Sequence, residues 1–376
     1  MYKRSTLFKA AAFFLAITSA PVAFGQTTIG QDNDIKAVTT AVPILTVAPD
    51  ARSAALGDAG VAISPDANTP HWNPAKLGFV QNDMSVSLSY SPWLRNIVDD
   101  MSLSYLSGYK KLSETSAISA SLLYFDLGDI QFIDANRLPI QDYSPKEYAI
   151  SVAYGQALSE NLSLGIGARF IHSNLAGNVN VSGGSTTFES KPGNTAAVDI
   201  GVYYNKDVSQ NINLALGANV SNIGGKIAYT TQDEKDFLPT NLKIGTAVKY
   251  NLDAYNTLTF VLDANKLLVP SPGAGTDQSV VSGIFSSFGD AEGGFGEEMQ
   301  EVNLSGGLEY WYNNLFAARA GYFYENPQKG GRQYLSLGLG IRYEKFGIDA
   351  AYLIPGEQGN PLAQTLRLSV SLNLDK

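Results

Sequence analysis

From Glu147 to Tyr204 the bulky apolar residues fall on every second position. Tyr148, Ile150, Val152 and Tyr154 alternate with Ala149, Ser151 and Ala153. After a break at Ser159-Glu160-Asn161, Leu162, Leu164 and Ile166 alternate with Ser163, Gly165 and Gly167. Beyond a Gly-, Ser- and Asn-rich stretch, Val198, Ile200, Val202 and Tyr204 resume the pattern. Successive side chains of a strand point to opposite faces, so this period predicts strands with one greasy face. The other face is Ser, Gly, Ala and an occasional charge. A soluble sandwich also alternates. The small, Gly-rich second face, repeated strand after strand, suits a barrel in lipid with its greasy face outward.

The same alternation recurs at Met84–Tyr90, Met101–Tyr109, Ala117–Phe125, Ile212–Val220, Leu242–Tyr250, Leu258–Asn265 and Val302–Trp311. It recurs again at Leu315–Tyr324, Tyr334–Tyr343, Phe346–Leu353 and Thr365–Leu374, which brings the count to 14. The expected fold is therefore all-β: a 14-stranded antiparallel transmembrane barrel of the outer membrane with a small N-terminal plug. Connection lengths carry a second signal. Those after odd strands are long, as from Asp126 to Lys146 or Lys266 to Glu301, and those after even strands are short, as at Asn313-Asn314 and Glu344-Lys345. Outer-membrane barrels have short periplasmic turns and long extracellular loops. With the N-terminus periplasmic, every long loop falls outside the cell. Tyr90, Tyr124, Tyr154, Tyr204, Tyr250, Tyr310, Tyr324 and Tyr343 sit at or near strand ends, as aromatic girdles require.

Ahead of the strands the pattern differs. Residues 1–25 read as a secretory signal: Lys3, Arg4 and Lys9, an apolar stretch from Leu7 to Ile17, and Ala23-Phe24-Gly25 before a cleavage point at Gln26. Residues 26–80 form the expected plug and 81–376 the barrel. Within the plug Ala51–Ala59 favours a helical turn or two, and Pro74 fits the first position of a short helix capped by Asn73. The formal charge of −9 argues against a nucleic-acid partner. There is no cysteine, no GxSxG, no HExxH, and only two histidines, His71 and His172. Catalysis by a His-based triad or metal centre is thus set aside, and no cofactor is expected. His71 reads as a packed plug residue and His172 as a rim residue.

Two loop regions are candidate partner surfaces. The longest connection, Lys266 to Glu301, is acidic yet carries Ile284, Phe285, Phe288 and Phe295. A long, partly apolar loop at a barrel mouth is either a binding surface or a cover over the lumen. Trp93 and Leu94 in the first outer loop are an interfacial anchor or a partner contact.

The plug carries the most specific resemblance. The run Ala51-Arg52-Ser53-Ala54-Ala55-Leu56-Gly57-Asp58-Ala59-Gly60, then Ser64-Pro65-Asp66-Ala67-Asn68, then His71-Trp72-Asn73-Pro74-Ala75-Lys76 resembles the start of the PorV family of type IX secretion system proteins of Bacteroidetes. That family lies within the wider group of barrels similar to the fatty acid transporter FadL. The resemblance extends over the mature chain, except that this one ends Asn373-Leu374-Asp375-Lys376 and not on an aromatic residue. It implies a non-enzymatic subunit in contact with outer-membrane lipid. Such a subunit takes secreted cargo by its C-terminal signal domain at a SprA-like translocon barrel and passes it to a PorU-like attachment subunit. His71, Trp72, Asn73 and Pro74 would be its plug motif. A FadL-like uptake channel for hydrophobic small molecules is the alternative, and it requires an apolar lumen pocket and a lateral gap. An outer-leaflet lipid A deacylase is a weaker one, lacking a Ser/His/Asp grouping.

Overall fold

The computed structural model describes residues 36–374, apart from 95–99, 134–138, 176–179, 184–185, 190, 230–234, 273, 275–276 and 357–364. The signal sequence expected at residues 1–25 lies outside the described residues. Fourteen strands close one antiparallel barrel. They are β1 (Met84–Pro92), β2 (Ser102–Ser113), β3 (Ser116–Asp126), β4 (Lys146–Ala157), β5 (Leu162–Asn174), β6 (Gly193–Ser209) and β7 (Ile212–Gly224). Then follow β8 (Asn241–Asn251), β9 (Asn256–Leu267), β10 (Val302–Tyr312), β11 (Phe316–Tyr324), β12 (Gln333–Tyr343), β13 (Phe346–Pro355) and β14 (Leu366–Leu374). Each strand pairs with its neighbours in sequence. The seam is made by β1 on β14, in register from Met84↔Leu374 to Tyr90↔Leu368. Closure leaves no edge, so amides in hydrocarbon stay paired. No helix among the described residues is long and apolar enough to cross a membrane.

The two faces separate as the alternation predicts. Ile150, Ile166 and Leu339 are exposed by 51 %, 55 % and 67 %, whereas Ser87, Ser163 and Ser369 inside are buried. None of the eight girdle tyrosines is buried. The short turns use tight-hairpin chemistry: Asn313 and Asn314 take φ of 51° and 52°, the left-handed conformation that Asn tolerates best. Two long connections add hairpins of their own, Ile130–Ile133 with Pro139–Tyr143 and Asn180–Gly183 with Thr186–Glu189.

The segment before β1 departs from the simple expectation of a periplasmic N-terminal end. Lys36 N–H donates to Gln328 O and Ala41 N–H to Phe237 O, and both acceptors lie in long connections. The chain then descends. A 3-10 turn at Pro43–Thr46 leads to the one-turn helix α1 (Ala51–Ala54), then to α2 (Thr69–Trp72) and a 3-10 turn at Pro74–Phe79. Gly78 ends beside Gln156, Ala157 and Ser163, next to the short β4–β5 turn. The segment thus threads the lumen from the long-loop mouth to the short-turn mouth, and only there does β1 begin. Its upper part joins an apolar layer of Val42, Ile44, Leu45, Leu103, Phe125 and Ile171 under the long loops.

The Gly-rich inner face is the seat of this segment. A Cβ on Gly165 would lie 2.2 Å from Ala75 N, one on Gly201 2.1 Å from Asn73 Oδ1, and one on Gly217 2.3 Å from Val61 O. A second seat spans β10–β12, where Cβ atoms on Gly307, Gly321 and Gly338 would meet Leu56, Gly57 and Ala55 at 2.8, 2.1 and 2.4 Å. By contrast a Cβ on Gly167 meets only wall side chains at ordinary contact distance, Asp199 at 3.4 Å and Ala153 at 3.6 Å. Gly201→Val should therefore destabilise the plugged barrel by roughly 1–3 kcal/mol or more, while Gly167→Ala stays within about 0.5 kcal/mol. The midpoint of heat-dependent migration on detergent gels reads the difference.

Candidate functional site

The plug motif is built around backbone groups that need partners in a water-poor lumen. Pro74 opens the 3-10 turn, and the Asn73 side chain caps it by accepting from Ala75 N–H at 3.0 Å. The same carboxamide donates from Nδ2 to Val61 O at 3.3 Å and to Val202 O in β6 at 3.0 Å. One residue thus fixes the turn, the preceding plug chain and the wall. Trp72 Nε1 donates to Asp50 Oδ2 at 2.7 Å, and Asp50 Oδ1 accepts from Ser53 N–H to cap α1. His71 packs edge-on between Trp72 and Tyr105, with ring centroids 5.0 and 5.9 Å away.

Charges lock the plug to the wall. The Arg52 guanidinium makes two bonds to Glu309 of β10, at 2.9 and 2.8 Å, and others to Asp66 and to Ser64. Glu309 also accepts from Arg319, whose other arm reaches Asp349. Asp263 of β9 accepts from the N–H groups of Gly60 and Val61 at 2.7 and 3.0 Å. Lys76 donates to Gly60 O at 2.8 Å. Wall serines complete the set: Ser369 and Ser336 accept from Ala51 and Gly57 N–H, and Ser163 donates to Ala75 O. Sequence reading marked the Asn-Pro-Ala element but not Arg52, Asp50 or their wall partners. The available signal was the charge at inward positions, Asp263, Glu309 and Arg319, on otherwise small-residue faces.

At the long-loop rim, the connection from β9 to β10 folds into two short helices, α3 (Val280–Ser286) and α4 (Phe295–Gln300). Three lysines from three segments hold α4. Lys266 binds Glu298 and Glu301 at 2.9 and 2.6 Å, Lys329 binds Glu297 and Glu301 at 2.7 and 3.0 Å, and Lys36 reaches Glu292 and Glu297. Gly283 of α3 faces Phe237 and Pro270. Phe285, Phe288 and Phe295 remain exposed by 75 %, 53 % and 80 %. Val281 and Met299 are exposed beside them in sequence, whereas Ile284 is half-buried. Trp93 is drawn into the apolar layer at the mouth, edge-on to Phe125 at 5.6 Å. Leu94, half-buried with φ 50°, follows it. The candidates therefore divide: Trp93 packs into the mouth layer, Leu94 and Ile284 are half-buried, and the three phenylalanines are exposed. His172 lies on the outer face, stacked on Tyr148.

Comparisons with known proteins fit this picture. A family profile described as "Type IX secretion system protein PorV" matches residues 30–274. No curated protein matches the chain significantly. Among solved structures, the Pseudomonas putida toluene transporter TodX is similar at TM-score 0.50 and 11% identity, covering 91% of this chain and 100% of that one. The CymD monoaromatic hydrocarbon channel is similar at TM-score 0.52 and 12% identity, covering 88% of this chain and 99% of the other. At such identities the likeness shows the fold alone, that of an outer-membrane β-barrel.

Two tests follow. Glu309→Gln leaves Arg52 and Arg319 facing a neutral amide and should cost roughly 3–5 kcal/mol, whereas removing Arg52 as well should recover part of the loss in a double-mutant cycle of unfolding. At the rim, hydrogen bonds from Lys329 set Glu297 below its ordinary value, and in Glu301 the bonds from Lys266 and Lys329 outweigh the upward push of burial. A lowered folded pKa stabilises above the unfolded value of about 4.5 and stops doing so as pH falls through the folded value. Protection factors of the amides in 295–301, with exchange corrected for the intrinsic rate at each pH, should accordingly be high near neutrality and fall below about pH 4.

Proposed function

The chain belongs to the PorV family of type IX secretion system outer-membrane proteins, and on that premise we propose that it carries cargo at the cell surface and opens no path for solutes through itself. It takes secreted proteins by their C-terminal signal domains at a SprA-like translocon barrel and presents them to a PorU-like attachment subunit. It performs no chemistry of its own. The observation that carries this reading is the pairing of a filled lumen with an aromatic rim. Inside, backbone meets glycine at van der Waals limits and charges are paired in both walls. Outside, Phe295 is exposed on α4, which the lysine–glutamate pairs brace, and Phe285 and Phe288 are exposed on and just after α3. Exposed aromatics on a rigid support are what a protein interface uses as anchors.

The FadL-like uptake alternative asks for an apolar lumen pocket by the plug. The wall here offers Ser, Asp, Glu and Arg to the plug in its place, which favours the carrier reading.

Replacing Phe285, Phe288 and Phe295 together by Ser tests it. Pull-down from detergent extracts should recover translocon and cargo at least about tenfold less well, with heat-dependent migration of the barrel unchanged. Undiminished recovery would remove this surface from the interface.

A further inference from the structure

The outer wall carries an apolar dent of about 460 Å3, lined chiefly by Ile150, Val152, Ala168, Phe170, Val198 and Ile223. Its origin is local. The β6–β7 register shifts between Val198 and Ile200, opposite Asn222 with φ 60°, and such a bulge bends the strand. On the outer face Ala168 lies between Val152 and Val198, and Ala196 lies beside Phe170. Two small side chains, Ala168 and Ala196, thus adjoin where Val152, Val198 and Phe170 beside them are large. The dent is not a hole. Val198 still pairs with Ala168 on one side and Ile223 on the other, and Ala197 with Arg169 and Gly224.

Its surroundings say what fills it. Ile150, Val152, Phe170 and Val198 all belong to the exposed greasy band, so the neighbouring medium is hydrocarbon. A concavity there forfeits dispersion contacts unless a flexible chain enters it. One step toward the long-loop mouth the character changes to a polar row. Tyr148, His172 and Asn194 are cross-strand partners in sequence β4, β5, β6. His172 stacks on Tyr148 with centroids 4.8 Å apart, and its Nδ1 lies 2.7 Å from Asn194 Oδ1. With the imidazole donating there, the Asn194 amide N–H groups and the Tyr148 hydroxyl are left to serve as donors. Above Tyr148 on the same face stands Lys146, exposed, opposite Asp126, whose Oδ1 already accepts from Gly128 N–H. Apolar trough, donor row and ammonium follow one another in the order tail, linkage, headgroup.

We propose that this strip, on β4–β7, is a binding site for one membrane lipid of the outer leaflet, with an acyl chain in the dent and a phosphorylated headgroup met by Asn194, Tyr148 and Lys146. The site is independent of the rim aromatics and of the plug. It makes the lipid a fixed part of one flank of the barrel, whereas lipid elsewhere on the wall exchanges freely.

The test is native mass spectrometry of the full chain extracted from outer membranes in mild detergent, with lipid phosphorus assayed in parallel. Wild type should keep one phosphorylated lipid per barrel. Ala168→Phe fills the trough with a side chain suited to hydrocarbon and should lower that occupancy about tenfold, which is ~1.4 kcal/mol. Leu339→Phe on β12 is the control and should leave it unchanged; Ala196→Leu serves if Ala168→Phe fails to show heat-dependent migration. Lys146→Glu should reduce retention of added phosphorylated lipid but not of added diacylglycerol. Equal occupancy in wild type, Ala168→Phe and Leu339→Phe would overturn the proposal. Loss of a co-purifying protein in Ala168→Phe, with lipid unaffected, would overturn it too and assign the dent to a partner's side chain.

Discussion

Hydrocarbon offers an amide nothing to bond to, and most of this molecule follows from that constraint. It forces the fourteen strands into a ring, with Met84–Tyr90 laid against Leu368–Leu374 to remove the last edges. It also sets a band of large apolar side chains on the outer face and leaves an inner face of mostly small and polar residues, apart from the apolar layer under the long loops. That interior could have been a water-filled pore. The same rule of complete pairing, carried inward, fills it with a segment whose own backbone groups bond to wall serines, Asp263 and Asn73.

The filling is built to stay. Glycines at the two seats let backbone approach backbone where any side chain would collide. Arg52, Glu309, Arg319 and Asp349 form a buried chain of charges from plug to three strands. Such pairs add little net stability over apolar packing, but separating them is expensive. A plug held in this manner is costly to part from the wall.

Much of the fold was legible in the chain. Period-two alternation located all fourteen strands, and the long-short rhythm of the connections told a long-loop mouth from a short-turn mouth, because both are consequences of local geometry repeated many times. Asn73 as a cap before Pro74 was legible for the same reason: the chemistry lies within three residues. What the alternation could not give was the reason for the glycines. Gly165 and Gly167 look alike in sequence, yet the first touches Ala75 and the second does not. Contacts of that kind join residues ninety positions apart and leave no periodic trace. The pairing of Arg52 with Glu309, and the withdrawal of Trp93 while Phe285 stays out, were hidden for the same reason.

The path of residues 36–80 has a consequence for biogenesis. This stretch enters at the far mouth, passes down inside the ring and is continuous with β1, one of the two strands of the closing seam. A cord cannot be laid through a hoop already shut without pulling its free end along the whole bore. The lumenal stretch and the seam strand are therefore one continuous piece of chain, and the pairing of β14 with β1 also encloses it.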